Sequence, residues 1–142
     1  MSVFVVDASV VIKWFVPEVH SDAARRLLQS QNQYVAPDLL FAETANTIWK
    51  KVRRGEVSRR DGEGLVADVG RAAVQTVPCR ALAADAYALA SASGRTVYDA
   101  MYLALALRLD TRLITADERL AGALAAMPAV ASHIQTVQMF KG

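Results

Sequence analysis

Four acidic residues, Asp7, Glu43, Asp99 and Asp117, stand where secondary-structure elements should begin or end. Two of them follow short apolar runs: Val3-Phe4-Val5-Val6 precedes Asp7, and Leu113-Ile114-Thr115 comes before Asp117. Runs of this kind read as buried strands of a parallel sheet. Ligands of open α/β sheets bind outside the carboxyl ends of the strands, so Asp7 and Asp117 are expected to face one crevice. Carboxylates gathered there are costly unless something neutralises them, and a hard divalent cation is the usual answer. Carboxylates holding one or two Mg²⁺ or Mn²⁺ ions activate water for in-line attack on a phosphodiester. The ions also offset charge on the phosphorus oxygens. Ser9, Asn46 and Thr115 are short polar residues beside these acids, suited to bonding the carboxylates or ion-bound waters.

Each acid has a plainer reading when taken singly. An aspartate at a helix start is an N-cap, which covers Asp99 and Asp117. A glutamate in an amphipathic helix is exposed by default. Asp7, after four apolar residues, is harder to dismiss. The plain readings weaken jointly, because the expected fold brings all four to one end of the sheet.

The elements that must do this alternate along the chain. Residues 3–6 read as the first strand, and a short helix covers 10–15, ending near Pro17. His20, Ser21 and Asp22 offer N-caps for a helix to about residue 31. Residues 34–36 form a second strand, and Pro37 suits the first turn of a helix over 38–54 that stops at Gly55. Glu43 and Asn46, three apart, share one face of it. Ser58 starts a helix weakened by Gly62, Gly64 and Gly70. A third strand spans 74–77, and an alanine-rich helix covers 80–93 and ends at Gly94. Asp99 opens a helix to about residue 109. A fourth strand covers 112–115, and Asp117 opens a helix to about residue 127. The tail, with Ile134 and Val137, offers an edge strand. Strand–helix alternation predicts an α/β fold with a parallel sheet.

Length and composition fit a single domain over residues 1–142, with 54% hydrophobic residues for a core and 7% aromatics. Alanine and aliphatics must therefore fill it, which implies close helix packing in the alanine-rich segments. The single cysteine, Cys79, forms no internal disulfide and points to a reducing cytoplasm. Asp7 and Lys13 break the N-terminal apolar stretch, so it reads as neither a signal segment nor a membrane span.

Sixteen basic residues against 14 acidic ones give a net charge of +2. Without the four site acids the balance is 16 against 10, or +6. This describes an acidic pocket in a basic shell. Lys50, Lys51, Arg53 and Arg54 form its densest part, with Arg59 and Arg60 close by. Such a run attracts polyanions, nucleic acid among them. It also suits a solvated helix C-terminus, which is the reading preferred for the run alone.

Taken together, the motifs resemble those of PIN-domain ribonucleases. Asp7-Ala8-Ser9 after a leading strand resembles their opening motif. Glu43 with Asn46, in a helix entered through a proline, is similar to their second acidic position. Tyr98-Asp99-Ala100-Met101-Tyr102-Leu103-Ala104 is similar to the third motif and is the most specific piece. Leu113-Ile114-Thr115-Ala116-Asp117 resembles the fourth. The ordered set spans nearly the whole chain, and its compact length resembles the bacterial VapC-type toxins of toxin–antitoxin pairs. The resemblance implies a PIN-like αβα sandwich, a short parallel sheet flanked by helices. It implies a metal-dependent endoribonuclease, using Mg²⁺ or Mn²⁺ held by Asp7, Glu43, Asp99 and Asp117. It further implies an RNA substrate, a homodimer, and inhibition by a small antitoxin encoded beside it.

Other readings fit less well. A haloacid-dehalogenase-type phosphatase needs a second aspartate where Ser9 stands, and a lysine near the last acid where only Arg119 is offered. A phosphoacceptor receiver domain wants adjacent acids, and Asp7 stands alone. A catalytically silent RNA- or protein-binding module would keep the fold, but the complete acid set argues against it. His20 and His133 lack partners at metal-ligand spacing, and Cys79 reads as a small core or loop residue. Trp14, Phe15 and Trp49 read as core or interface residues. By analogy with the family, Trp14 and Phe15 are candidates to line an antitoxin groove.

Overall fold

Strand β1 (Val3–Val6) forms where Phe4, Val5 and Val6 are all buried, so both faces of the sheet are covered there. The computed structural model describes residues 1–141. After β1 come α1 (Ala8–Phe15), α2 (Ser21–Leu28), β2 (Gln33–Pro37), α3 (Leu39–Arg53) and α4 (Arg59–Val69). Then follow β3 (Gln75–Val77), α5 (Cys79–Ser93), α6 (Val97–Arg108), β4 (Leu113–Thr115), α7 (Glu118–Ala125) and β5 (Ile134–Thr136). All strand pairs are parallel, in the order β3-β2-β1-β4-β5. Helices flank the sheet. One group packs α1 against α2, α3 and α4, and α5 packs on α6, which itself lies on β1, β2 and β4.

This order creates the crevice. The chain leaves β1 in one direction through β2 and β3, then returns to the other side of β1 with β4 and β5. The carboxyl ends of β1 and β4 therefore flank the topological switch point, where ligands of such sheets bind. Val6 pairs with Ile114, so the next residues, Asp7 and Thr115, come out side by side.

The expected alternation holds, and the differences lie at element ends. Helix α1 starts at Ala8, because Asp7 caps it by accepting from the Val10 N–H. Helix α2 ends at Leu28, and His20, at its N-cap position with φ of 65°, makes no capping bond. Pro37 closes β2 instead of opening α3, and Asp38 accepts from the Cys79 N–H at 3.0 Å. Helix α6 begins at Val97 because Thr96, not Asp99, is its cap: the Thr96 hydroxyl accepts from the Asp99 N–H. Asp99 lies in the first turn instead. Only Ile134 of the two tail residues lies in β5; Val137 opens a 3₁₀ turn.

Gly62 is a packing requirement and not a weakness. A Cβ on it would come within 2.7 Å of Val52 Cγ2, across the contact of α4 with α3. The β-branched Val52 side chain is stiff at χ1 within a helix and has little freedom to yield. Gly64, on the same helix, has nothing within 4 Å of that position. Gly64→Ala should therefore stabilise by about 0.5–1 kcal/mol, through helix propensity and a stiffer unfolded chain. Gly62→Ala should destabilise, because overpacking costs roughly 1–3 kcal/mol. Thermal melting of the two variants checks the pair, and equal shifts of the same sign would refute the close-packing account.

Candidate active site

Asp7 is buried, at 7% exposure, directly after β1. Its Oδ1 accepts from the Ser9 hydroxyl at 2.5 Å and from the Val10 N–H at 3.2 Å. Its Oδ2 accepts from the Thr115 hydroxyl at the end of β4. The same two hydroxyls accept from the next turn: Ala116 N–H donates to Ser9 at 2.9 Å, and Asp117 N–H to Thr115 at 3.0 Å. Asp117 then caps α7, its Oδ1 accepting from the Arg119 and Leu120 N–H groups at 3.0 and 3.1 Å. One bonded chain thus runs from Asp7 to Asp117.

The other two acids come from helices. Glu43 is half-buried on α3 and accepts from the Tyr102 hydroxyl at 2.5 Å. Asp99 lies three residues before Tyr102, on the same side of α6. The Arg95 guanidinium donates to its Oδ2 at 3.2 Å.

The charges interact as two pairs. Burial pushes the Asp7 carboxyl up to about 6, against the pull of its three hydrogen bonds, and the Asp117 charge adds to the rise. Burial also raises the Glu43 carboxyl; the Tyr102 hydrogen bond opposes this and the Asp99 charge reinforces it. The Tyr102 hydroxyl is pushed far above the usual tyrosine range, by burial first, then by Glu43, with Asp7 contributing. It therefore stays protonated and stays a donor.

The structure thus brings the sequence-derived acids together as two pairs, Asp7 with Asp117 and Glu43 with Asp99, with Tyr102 between them. Ser9 and Thr115 both donate to Asp7. Asn46 is exposed one turn beyond Glu43, and among the described residues it takes no part in this network. No three His, Cys, Asp or Glu side chains among the described residues converge closely enough to form a ready-made ion site. Two participants went unassigned in the sequence: Tyr102 and Arg95. The signal for Tyr102 was its spacing of three from Asp99, and that for Arg95 its spacing of four.

Other candidates resolve plainly. Trp14 is core: it is buried, and its indole N–H donates to the Ala24 carbonyl at 2.8 Å. It therefore cannot line a docking groove. Phe15 is half-buried and Trp49 is 53% exposed. Within the basic run, Lys51 folds back on Glu18 at 2.5 Å, where Lys13 also pairs at 3.3 Å. The Arg53 guanidinium sits 4.9 Å from the centre of the Trp49 ring. His133 contacts the Thr111 carbonyl oxygen through Nδ1 at 2.8 Å, and Cys79 begins α5 with its thiol pushed up by burial and by the Asp38 carboxylate beside it.

The raised Asp7 carboxyl has a consequence for stability. The folded state holds this proton more tightly than the unfolded chain does. Its contribution is thus full below about pH 4 and is lost as pH rises through about 6. In chelator, wild type should lose roughly 2–3 kcal/mol against Asp7→Asn across that window. Asparagine keeps the cap. Urea unfolding of both proteins from pH 4 to 8 measures this, and a pH-independent difference would mean that Asp7 is not buried as a high-pKa acid.

Comparison with known proteins fits this arrangement. The PIN domain family profile matches residues 4–123. Ribonuclease VapC3 from Pyrobaculum aerophilum is 35% identical over 119 residues, which cover 82% of this chain and 91% of that protein. Among solved structures, PAE2754 from Pyrobaculum aerophilum superimposes with a TM-score of 0.67 at 21% identity, covering 95% of this chain and 83% of its own. VapBC2 from Rickettsia felis, solved bound to a DNA fragment from their promoter, gives a TM-score of 0.61 at 11% identity, covering 94% of this chain and 98% of its own. These two likenesses speak for the α/β fold. With a profile match over most of its length and a relative of this identity across most of both sequences, the chain belongs to the PIN domain family.

Proposed function

We propose that the protein is a metal-dependent endoribonuclease, hydrolysing RNA phosphodiesters as the toxin of a type II toxin–antitoxin pair. The observation that carries the reading is Asp7: a buried carboxylate, fixed by two hydroxyls at the switch point, with the Asp117 charge acting on it and the Glu43–Asp99 pair linked to the same site through Tyr102. The likeness to a ribonuclease of the VapC kind supports the choice of RNA.

The donor set fits a hard divalent cation. It offers only carboxylate oxygens, from three aspartates and one glutamate, with no thiolate or imidazole among them. Asp7, Glu43, Asp99 and Asp117 would hold Mg²⁺ or Mn²⁺. Bound there, the ion would lower the pKa of a water and neutralise charge on the scissile phosphate. The chain's own part is positioning. Ser9 and Thr115 fix the orientation of Asp7, the α7 N-terminus fixes Asp117, and Arg95 and Tyr102 restrain Asp99 and Glu43. Arg95 also puts a guanidinium beside Asp99, where it would meet a phosphate if Asp99 were engaged by the ion.

An antitoxin and a second copy of the chain are the partners we propose. An apolar cleft between α3 and α4, lined by Ala45, Ile48, Trp49, Val52 and Val66, suits a protein partner. A cytoplasmic site of action accords with the lone cysteine. Among the described residues no helix is long and apolar enough to cross a membrane.

Purified protein should cleave RNA with Mg²⁺ or Mn²⁺ and stop on addition of chelator. Asp7→Asn should lower the rate by more than about a hundredfold, beyond the usual effect of removing a ligand's supporting partner. Its far-ultraviolet circular dichroism should be unchanged. Full cleavage in excess chelator, or by the folded variant, would sink the metal reading. Growth arrest on expression should follow the wild type and not Asp7→Asn.

A further inference from the structure

We propose that Tyr102 is a positioning residue: by holding one oxygen of Glu43 it presents the other to the divalent ion, and so sets how tightly that ion binds. The inference rests on the reading of the four acids given above. Tyr102 is 2% exposed, within the apolar, buried middle of α6 (residues 100–106). A phenylalanine would fill that space equally well, so the hydroxyl needs its own reason. A buried tyrosine hydroxyl requires a partner, and its one hydrogen bond among the described residues goes to Glu43 Oε1 at 2.5 Å. A hydroxyl donating to a carboxylate makes a strong hydrogen bond. It links α3 to α6 across 59 positions of sequence. Oε2 of Glu43 makes no hydrogen bond among the described residues, so it is the oxygen left to face the site. Without the tether, Glu43 would be a long side chain free to rotate about three bonds on a half-exposed helix face. Partners of this kind around metal ligands typically change affinity or activity by about 10–100-fold.

The test is Mn²⁺ binding by calorimetry, with melting in chelator as a control for folding. Tyr102→Phe should weaken binding about tenfold or more, and the Mn²⁺ concentration for half-maximal RNA cleavage should rise by the same factor. At saturating Mn²⁺ the rate should recover toward wild type. In a Glu43→Gln background, Tyr102→Phe should make no further difference to affinity, because the tyrosine acts through that carboxylate. Should Tyr102→Phe fail to fold, Glu43→Asp decides: it keeps the charge but is one methylene too short to stay on the hydroxyl, and should lose affinity similarly. Wild-type affinity in folded Tyr102→Phe, with only its melting point lowered, would make the hydroxyl a structural feature and overturn the proposal. Retained affinity in Glu43→Asp would do the same. If wild type itself binds no Mn²⁺, the four-acid reading falls first, and this inference with it.

Discussion

Burial of one carboxylate organises the molecule. A charge taken from water costs far more than a single hydrogen bond returns, so Asp7 must receive donors wherever the fold puts it. It receives them from three places: its own helix through Val10 N–H, the turn through Ser9, and the neighbouring strand through Thr115. A hydroxyl has one proton, and both of these are directed at Asp7. Their 3.3 Å mutual approach therefore carries no second hydrogen bond in that state. Their lone pairs are free to accept, and they take the Ala116 and Asp117 N–H groups. The turn leaving β4 is thus shaped by the same two hydroxyls that satisfy Asp7. Separating β1 from β4 would strand a buried charge, which makes their adjacency a condition of the fold as well as of the site.

The helical half of the site depends on packing. Glu43 is carried by α3, which is held by α1 and α4, and the Gly62 contact brings α4 close enough to do this. The base of α3 is further tied down where Lys51 and Lys13 converge on Glu18. That pairing removes Lys51 from the basic surface and leaves Lys50, Arg53 and the C-cap residue Arg54 exposed at the end of α3. The run is therefore part structural anchor and part free charge, a mixture that counting residues could not separate.

What the sequence disclosed follows from where single residues carry the signal. A run of apolar residues before Asp7, of which Phe4, Val5 and Val6 are buried, reads as a strand covered on both faces, so β1, its parallel sheet and the acid at its end were legible. Asp117 as an α7 cap was legible for the same local reason. Asp99 was assigned to a cap that Thr96 supplies, because both residue types cap well and only the backbone decides between them. Trp14 looked available for a partner until the fold put α2 against it. Tyr102 was hidden by its surroundings: an aromatic in an apolar helix reads as core, and it is core, except for one oxygen. Its bond to Glu43 joins residues far apart in sequence, and no local pattern encodes that.

The acid cluster also answers the question its charge raises. Unscreened, such neighbours repel by several kcal/mol each at most, about 4 kcal/mol for a 4 Å pair at an effective dielectric near 20. The protein meets this one acid at a time, with a different device for each. Hydroxyls serve Asp7, a helix N-terminus serves Asp117, a tyrosine serves Glu43 and a guanidinium serves Asp99. The cluster therefore does not need a cation merely to fold. The four devices also differ in how readily they give way. The hydroxyls and the helix terminus bind through groups fixed by the backbone or by short side chains, and they leave lone pairs of Asp7 and Asp117 open. Arg95 is a long, partly buried side chain that reaches Asp99 from four residues away, and holding its many rotatable bonds in one geometry costs side-chain entropy. An ion entering the crevice would thus meet two acids already aimed, and would compete with Arg95 for the third. One half of the site is thus fixed by short groups on Asp7 and Asp117, and the other is held by the longer side chains of Tyr102 and Arg95.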